Sequence, residues 1–155
     1  AREDIIRAFT NANTIVSLAC GNLGPALTGA LFDNDEILRL SRDHIEPWYR
    51  ERSRQTVRWL REQLGDLPYR IHKPEGAIFL WLWLEGLPIT SQELYQRLKQ
   101  RGVLVVPGHN FFVGLHEEWR HKHECIRISY ASDGEAVRRG VTIIAEEVAR
   151  AYRAA

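Results

Sequence analysis

The sequence predicts a layered α+β fold in which helices pack on a small mixed or antiparallel sheet. Three observations predict it. From Gly65 onward the hydrophobic period alternates to give strand, strand, helix, strand, strand, helix. A long run with apolar residues mostly three or four apart, residues 36–64, precedes that region. The 155 residues are 45% hydrophobic and 26% charged, enough apolar material for one domain, or one domain plus an attached piece, with a real core.

The elements follow in order. Residues 3–12 read as a helix with Ile5, Ile6 and Phe9 on one side, and residues 14–19 as a short apolar run, helix or strand. Cys20 to Pro25 breaks the pattern, and Pro25 suits the first turn of a helix over residues 26–32. Asp33, Asn34 and Asp35 make a break or cap. The helical run 36–64 carries Ile37, Leu40, Ile45, Trp48, Tyr49, Val57, Leu60 and Leu64 on its stripe, with a bend near Pro47. Gly65 stops it.

Residues 69–72 read as a strand, 73–76 as a turn and 77–84 as a second strand. In that second strand Phe79, Trp81 and Trp83 alternate with Ile78, Leu80, Leu82 and Leu84, so both faces are large and apolar. A strand of that kind is central and covered on both sides. Thr90 and Glu93 fit a capping box for a helix that reaches Gln100, and Gly102 ends it. Residues 103–106 read as a third strand and 107–124 as an irregular loop, a length that is often functional. Cys125, Ile126, Arg127, Ile128 and Ser129 alternate as a fourth strand. Ser132 and Glu135 fit a second capping box, and the last helix carries Val137, Val141, Ile144, Val148 and Tyr152 on one stripe.

Composition removes several functional classes. The formal net charge is +1, so no strong field points to nucleic acid or membrane. The arginines at 50, 52, 54, 58 and 61 are interspersed with Glu51 and Glu62 and lack an aromatic stacking platform, which makes them a solvated helix face. Cys20 and Cys125, the only cysteines, build neither a disulfide framework nor a thiolate metal site, and suit a reducing compartment. Cys125 reads as a small buried hydrophobe. No basic-then-apolar segment opens the chain, and its longest nearly apolar stretch is far too short for a bilayer. A soluble, cytoplasmic chain is expected, and without any methionine it reads as a piece of something longer.

The candidate chemistry is sparse. His109, His116, His121 and His123 with Glu124 have no zinc spacing and read as surface loop; no metal is expected. His44 reads as packing or surface, and nothing forces His72 toward a pocket. Lys73 sits in a solvent-prone turn, a poor setting for a Schiff base, and Lys99 and Lys122 are no better. Arg127 has two readings. On the polar side of its strand it reaches solvent or a surface carboxylate, or its planar fork anchors the carboxylate of a ligand. If the turns at Pro74–Gly76 and Pro107–Gly108 share a rim with Arg127, an apolar wall with one fixed positive charge results. Such a site takes a small amphipathic acid, an amino or keto acid.

Three stretches in this order carry a resemblance: HKPEGAIFLWLW at 72–83, LPITSQELYQRLKQRGVLVVPGHNFF at 87–112, and CIRISYA at 125–131. The chain resembles the C-terminal portion of class I/II, fold-type I, pyridoxal-phosphate aminotransferases. The resemblance covers almost all of it. It implies that residues 1–34 are the helical end of a large cofactor-binding domain. Residues 35–155 are then the small substrate-closing domain, with a linking helix over about 36–64.

The resemblance also assigns roles. Arg127 matches the residue that grips the substrate α-carboxylate. Gly76 opens a stretch, 76–79, near the substrate entrance. Gly108 and Phe111 match a loop leading toward the cofactor pocket. Residues 17–31 match segments near the large-domain and subunit boundary, where Asn22 could approach the active site. The cofactor implied is pyridoxal 5'-phosphate, and the family's Schiff-base lysine matches nothing in this chain. An isolated fragment is therefore expected to be inactive. The implied reaction passes an amino group between a small aliphatic amino acid, valine or alanine, and a 2-keto acid such as pyruvate, in a homodimer. The rivals are another fold-type I enzyme, a ligand-sensing domain, or a free-standing acid-binding domain without cofactor.

Overall fold

The computed structural model describes residues 2–16 and 21–154. Residues 17–19 of the predicted apolar run, Cys20, and the start of the 17–31 segment lie outside the described residues. The chain divides into two compact units, one ending at Asp43 and one starting at His44.

The first unit is helical: α1 (Glu3–Val16), α2 (Leu23–Asp33) and α3 (Glu36–Leu40). Glu3 and Asp4 in the first turn of α1 complement its dipole. The break expected at 33–35 is present. Asp35 takes a left-handed φ of +56°, which Asp tolerates, and Asn34 Oδ1 accepts the Glu36 N–H at 3.1 Å. Ile5, Ile6 and Phe9 of α1 and Leu23, Leu27 and Phe32 of α2 are exposed.

A π-helical turn, Ser41–Ile45, leads into α4 (Glu46–Leu64). Pro47 has no N–H to give the carbonyl four residues back, so a change of helix type just before it has a local cause. The buried stripe of α4 is Ser53, Thr56, Leu60 and Leu64, whereas Ile45 and Trp48, predicted on it, are exposed. Two small hydroxyl residues let a neighbour approach closely, and Thr56 Oγ1 is satisfied by the Arg52 carbonyl at 2.8 Å. The arginine face is solvated at Arg54, Arg58 and Arg61, and Arg50 pairs with Glu46, but Arg52 departs from that reading: it is half-buried with its guanidinium 4.7 Å from the centre of the Trp48 ring. Gly65, at φ +54°, ends the helix.

The sheet is antiparallel throughout, in the order β1-β2-β4-β3. Its strands are β1 (Tyr69–Ile71), β2 (Phe79–Leu84), β3 (Val106–Pro107) and β4 (Cys125–Ser129). Two predicted strands are corrected. The second starts at Phe79 rather than residue 77, because Ala77 adopts φ +61° and cannot continue a pleat. The third is two residues long and begins at Val106; residues 103–105 are not strand.

Opposed residues share a face. Leu80 faces Ile128 and Leu82 faces Ile126, and all four are buried. They join Leu60 and Leu64 of α4, Leu94 and Leu98 of α5 (Ser91–Gln100), and Val141, Ile144 and Val148 of α7 (Gly134–Arg153) in one core. Each fully buried side chain of this size contributes roughly 1.5–3 kcal/mol relative to exposure.

The caps follow the sequence in one helix and depart from it in the other. Thr90 Oγ1 accepts the Glu93 N–H at 3.1 Å, while the Glu93 carboxylate turns to Arg97 at 2.6 Å. At α7 the cap is Asp133, not Ser132: its Oδ2 accepts the Ala136 N–H at 3.0 Å. A carboxylate satisfies the orphan donor and the positive helix end together, where a hydroxyl satisfies only the donor. That backbone bond holds the Asp133 carboxyl below its usual range. The stripe of α7 is as predicted, with Tyr152 Oη donating to the Glu85 carbonyl at 2.9 Å. Glu147, which the periodicity also turns inward, is buried on Arg101 at 2.9 Å.

Candidate carboxylate-binding site

The other face of the sheet carries the polar candidate. Arg127 lies opposite Trp81 of β2 and Val106 of β3, so it points away from the helix layer together with Phe79, Trp81, Trp83 and Cys125. The cover on this side is not a layer of long helices. It comes from a 3₁₀ turn, Gly108–Phe111, the loop after it, and the short helix α6 (His121–Glu124). Trp81 meets Phe111 edge to face at 5.2 Å, and Trp119 packs on Phe112 and His121. Thus β2 is covered on both faces, by helices on one and by loop aromatics on the other.

Within that layer the Arg127 guanidinium sits 3.9 Å from the centre of the Phe79 ring and 4.8 Å from that of Phe111. Such contacts are worth about 0.5–2 kcal/mol each and tolerate a second partner at the guanidinium edge. Its Nε is buried without a hydrogen-bond partner. Among the described residues no carboxylate lies within salt-bridge distance of it, whereas Arg101 and Arg120 both have one. Of the first sequence reading, solvent or a surface carboxylate, the carboxylate is absent among the described residues. The fork is half-buried and held by two phenyl rings, and its planar shape is complementary to a carboxylate.

Phe111 reaches this position because Gly108 lets the chain fold tightly. A Cβ at Gly108 would lie 2.8 Å from the Cys125 Cβ and from the carbonyl oxygens of Cys125 and Lys122. Backbone oxygens cannot swing aside. Gly108→Ala is expected to cost about 1–3 kcal/mol by overpacking. Chemical denaturation of the full-length protein checks this; an unchanged midpoint would mean that the turn is looser than described.

Gly76 is exposed, in the connection between β1 and β2, with open space where a Cβ would stand. It precedes Ala77, whose left-handed backbone costs roughly 1–2 kcal/mol in a non-glycine residue. The Ala77 carbonyl accepts the Tyr130 hydroxyl at 2.7 Å. Asn22 stands at the N-cap of α2 in the other unit, exposed and without a side-chain cap bond. His72 is exposed beside Lys73. No cluster among the described residues could hold a metal ion.

The polar run before β4 is a correction. Lys122 and Glu124 are buried, not part of a surface loop. Lys122 Nζ donates to the Glu117 carbonyl at 2.7 Å, and Glu124 accepts Trp83 Nε1–H at 2.9 Å and the Gly86 N–H at 3.2 Å. Burial pushes the Cys125 thiol up to about 12, so it stays a neutral, inert hydrophobe as read from the sequence. Sequence reasoning missed Phe79 as a ring over Arg127 and Tyr130 as a donor to Ala77. The alternation of 79, 81 and 83 was the available signal for the first; nothing local signals the second.

The helix layer on a four-stranded antiparallel sheet matches the small domain of a fold-type I aminotransferase. Residues 1–144 match the family Aminotransferase class I and II, and the chain belongs to it. It is 51% identical over 152 residues to the valine–pyruvate aminotransferase of Escherichia coli, a match over 98% of this chain and 36% of that protein. The solved valine–pyruvate aminotransferase of Salmonella typhimurium superposes with a TM-score of 0.89 at 48% identity, covering 100% of this chain and 40% of that one. A multiple substrate aminotransferase from Thermococcus profundus does so at 0.79 and 26% identity, over 100% and 37%. The chain therefore spans little more than a third of the length of these relatives.

Proposed function

We propose that the protein carrying this chain is an aminotransferase that moves an amino group between a small aliphatic amino acid, valine or alanine, and a 2-keto acid such as pyruvate. The likeness to the two valine–pyruvate aminotransferases supports the reaction. The observation that carries this chain's share is the unpaired Arg127 guanidinium between Phe79 and Phe111. Arg127 binds the α-carboxylate through its fork, and the phenyl rings exclude water from that contact and keep the fork in one orientation. In this reading residues 1–34 are the end of the large domain and residues 35–155 the substrate-closing domain. The change of compact unit at Asp43 then lies in the linking helix. The intact enzyme is a cytoplasmic homodimer. No helix among the described residues is long and apolar enough to cross a membrane.

The family's cofactor, pyridoxal phosphate, needs a lysine with a free amine in a rigid pocket. The lysines here do not fit that need. Lys73 is exposed and paired with Glu75 at 2.5 Å, Lys99 is exposed, and Lys122 is spent on the backbone carbonyls of Leu115 and Glu117. We place the cofactor's covalent anchor in a part of the enzyme outside this chain. This chain holds and orients the acid, and by itself it has no transfer activity.

The test is a pair of product assays on the full-length, cofactor-loaded enzyme with valine or alanine and a 2-keto acid. The expected result is stoichiometric appearance of the new amino acid and the new keto acid. Release of carbon dioxide, or no transfer from any small aliphatic amino acid, would overturn the reading in favour of another fold-type I chemistry.

A further inference from the structure

The strand that carries Arg127 also holds the backbone that carries Phe79. Tyr130 follows β4 directly and is 2% exposed, with its ring edge to face with Tyr49 at 6.4 Å. Its hydroxyl donates to the Ala77 carbonyl at 2.7 Å, and its N–H donates to the Ile78 carbonyl at 3.1 Å. Two consecutive carbonyls are thus fixed by one residue. The first belongs to an alanine at φ +61°, a conformation that L side chains rarely adopt and that persists only where the surroundings impose it. Ala77 is where the exposed connection from β1 turns into β2, two residues before the ring that lies on the guanidinium.

We propose that Tyr130 is a positioning residue for the carboxylate grip: it locks Ala77 and Ile78 and so fixes Phe79 over Arg127. The proposal rests on the aminotransferase reading above. Without the hydroxyl, Ala77 relaxes out of the left-handed region, the entry to β2 swings, and Arg127 loses one of its two walls. The substrate contact is weakened alike in the ground state and the transition state. The signature is therefore a raised KM with kcat preserved.

The experiment is Tyr130→Phe in the full-length, cofactor-loaded enzyme, which keeps the ring packed on Tyr49. KM for both the amino and the keto acid is expected to rise about tenfold, with kcat within about twofold of the parent. Adding Ala77→Gly should bring KM back to within about threefold, because glycine takes a positive φ without being held there. Tyr152→Phe is the control: it also removes a half-buried hydroxyl bonded to backbone carbonyls, those of Pro68 and Glu85, but should leave KM unchanged. A glutamate-specific protease reads the lock without turnover, and should cut after Glu75 several-fold faster in Tyr130→Phe. An unchanged KM, a rise that Ala77→Gly does not relieve, an equal rise in Tyr152→Phe, or unchanged cleavage would overturn the proposal. Failure of the unaltered enzyme to transfer amino groups would instead sink the functional reading, and the cleavage rates would still decide the lock.

Discussion

Replacing Arg127 by alanine in the full-length enzyme is expected to lower kcat/KM for the amino acid by roughly 10²–10³-fold, at about 1.4 kcal/mol per factor of ten. The cost has two sources. The substrate carboxylate loses a bidentate partner, and it enters a layer built of Phe79, Trp81 and Phe111 with nothing to offset its lost hydration. Arg127→Lys separates charge from shape. It keeps the charge but not the planar fork, nor the stacking that a guanidinium makes with two rings. We expect it to recover about tenfold of the loss and no more. Steady-state kinetics in both directions check this. A loss under about fivefold in the alanine variant would remove Arg127 from the anchor role.

The second large effect is on stability. Glu124 is 6% exposed and serves three donors: the Trp83 indole, the Gly86 amide and Arg120, the last at 2.6 Å. Arg120 is largely exposed, so solvent screens that pair and it contributes little. The indole and the amide matter more, because Glu124→Ala leaves both without an acceptor beside a cavity. Together these cost about 3–5 kcal/mol. For a domain of this size the unfolding midpoint should fall by on the order of 10 °C. Glu124→Gln keeps one acceptor oxygen and should recover about half of that loss. Calorimetry of the full-length protein measures both. A midpoint shift under about 2 °C for the alanine variant would mean that water replaces the carboxylate at no cost.

How far the sequence led is clearest residue by residue. The Cys125–Ser129 strand and the α7 stripe were legible because each is a local period. A register of two or 3.6 needs no knowledge of the partner. Thr90 was legible for the same reason, since a cap and its donor lie three residues apart. Ser132 was misread because Ser and Asp are both good caps and stand side by side; the choice rests on where the chain turns, at Asp133. Ser53 and Thr56 looked polar and were buried, since close helix packing selects for small volume over polarity.

The burial of Glu124 was not legible. The Gly86 amide and the Trp83 indole lie 38 and 41 residues away, and only the sheet brings them to it. The same holds at the site. Arg127 could be singled out by chemistry, but its two readings differ only in what stands next to it. Phe79 reaches it through the β2–β4 register, and Phe111 through the tight turn at Gly108. The position of Ala77 depends on a hydroxyl 53 residues away, so no local rule announces a left-handed alanine.

The most direct test of the guanidinium as carboxylate anchor pairs a change in the enzyme with the matching change in the substrate. Turnover of valine is compared with that of isobutylamine, the same molecule without its carboxyl group, in the parent enzyme and in Arg127→Ala. The parent should prefer valine by on the order of 10³-fold, and the variant should retain no more than about a tenth of that preference. A preference of equal size in both enzymes would place the carboxylate on some other residue.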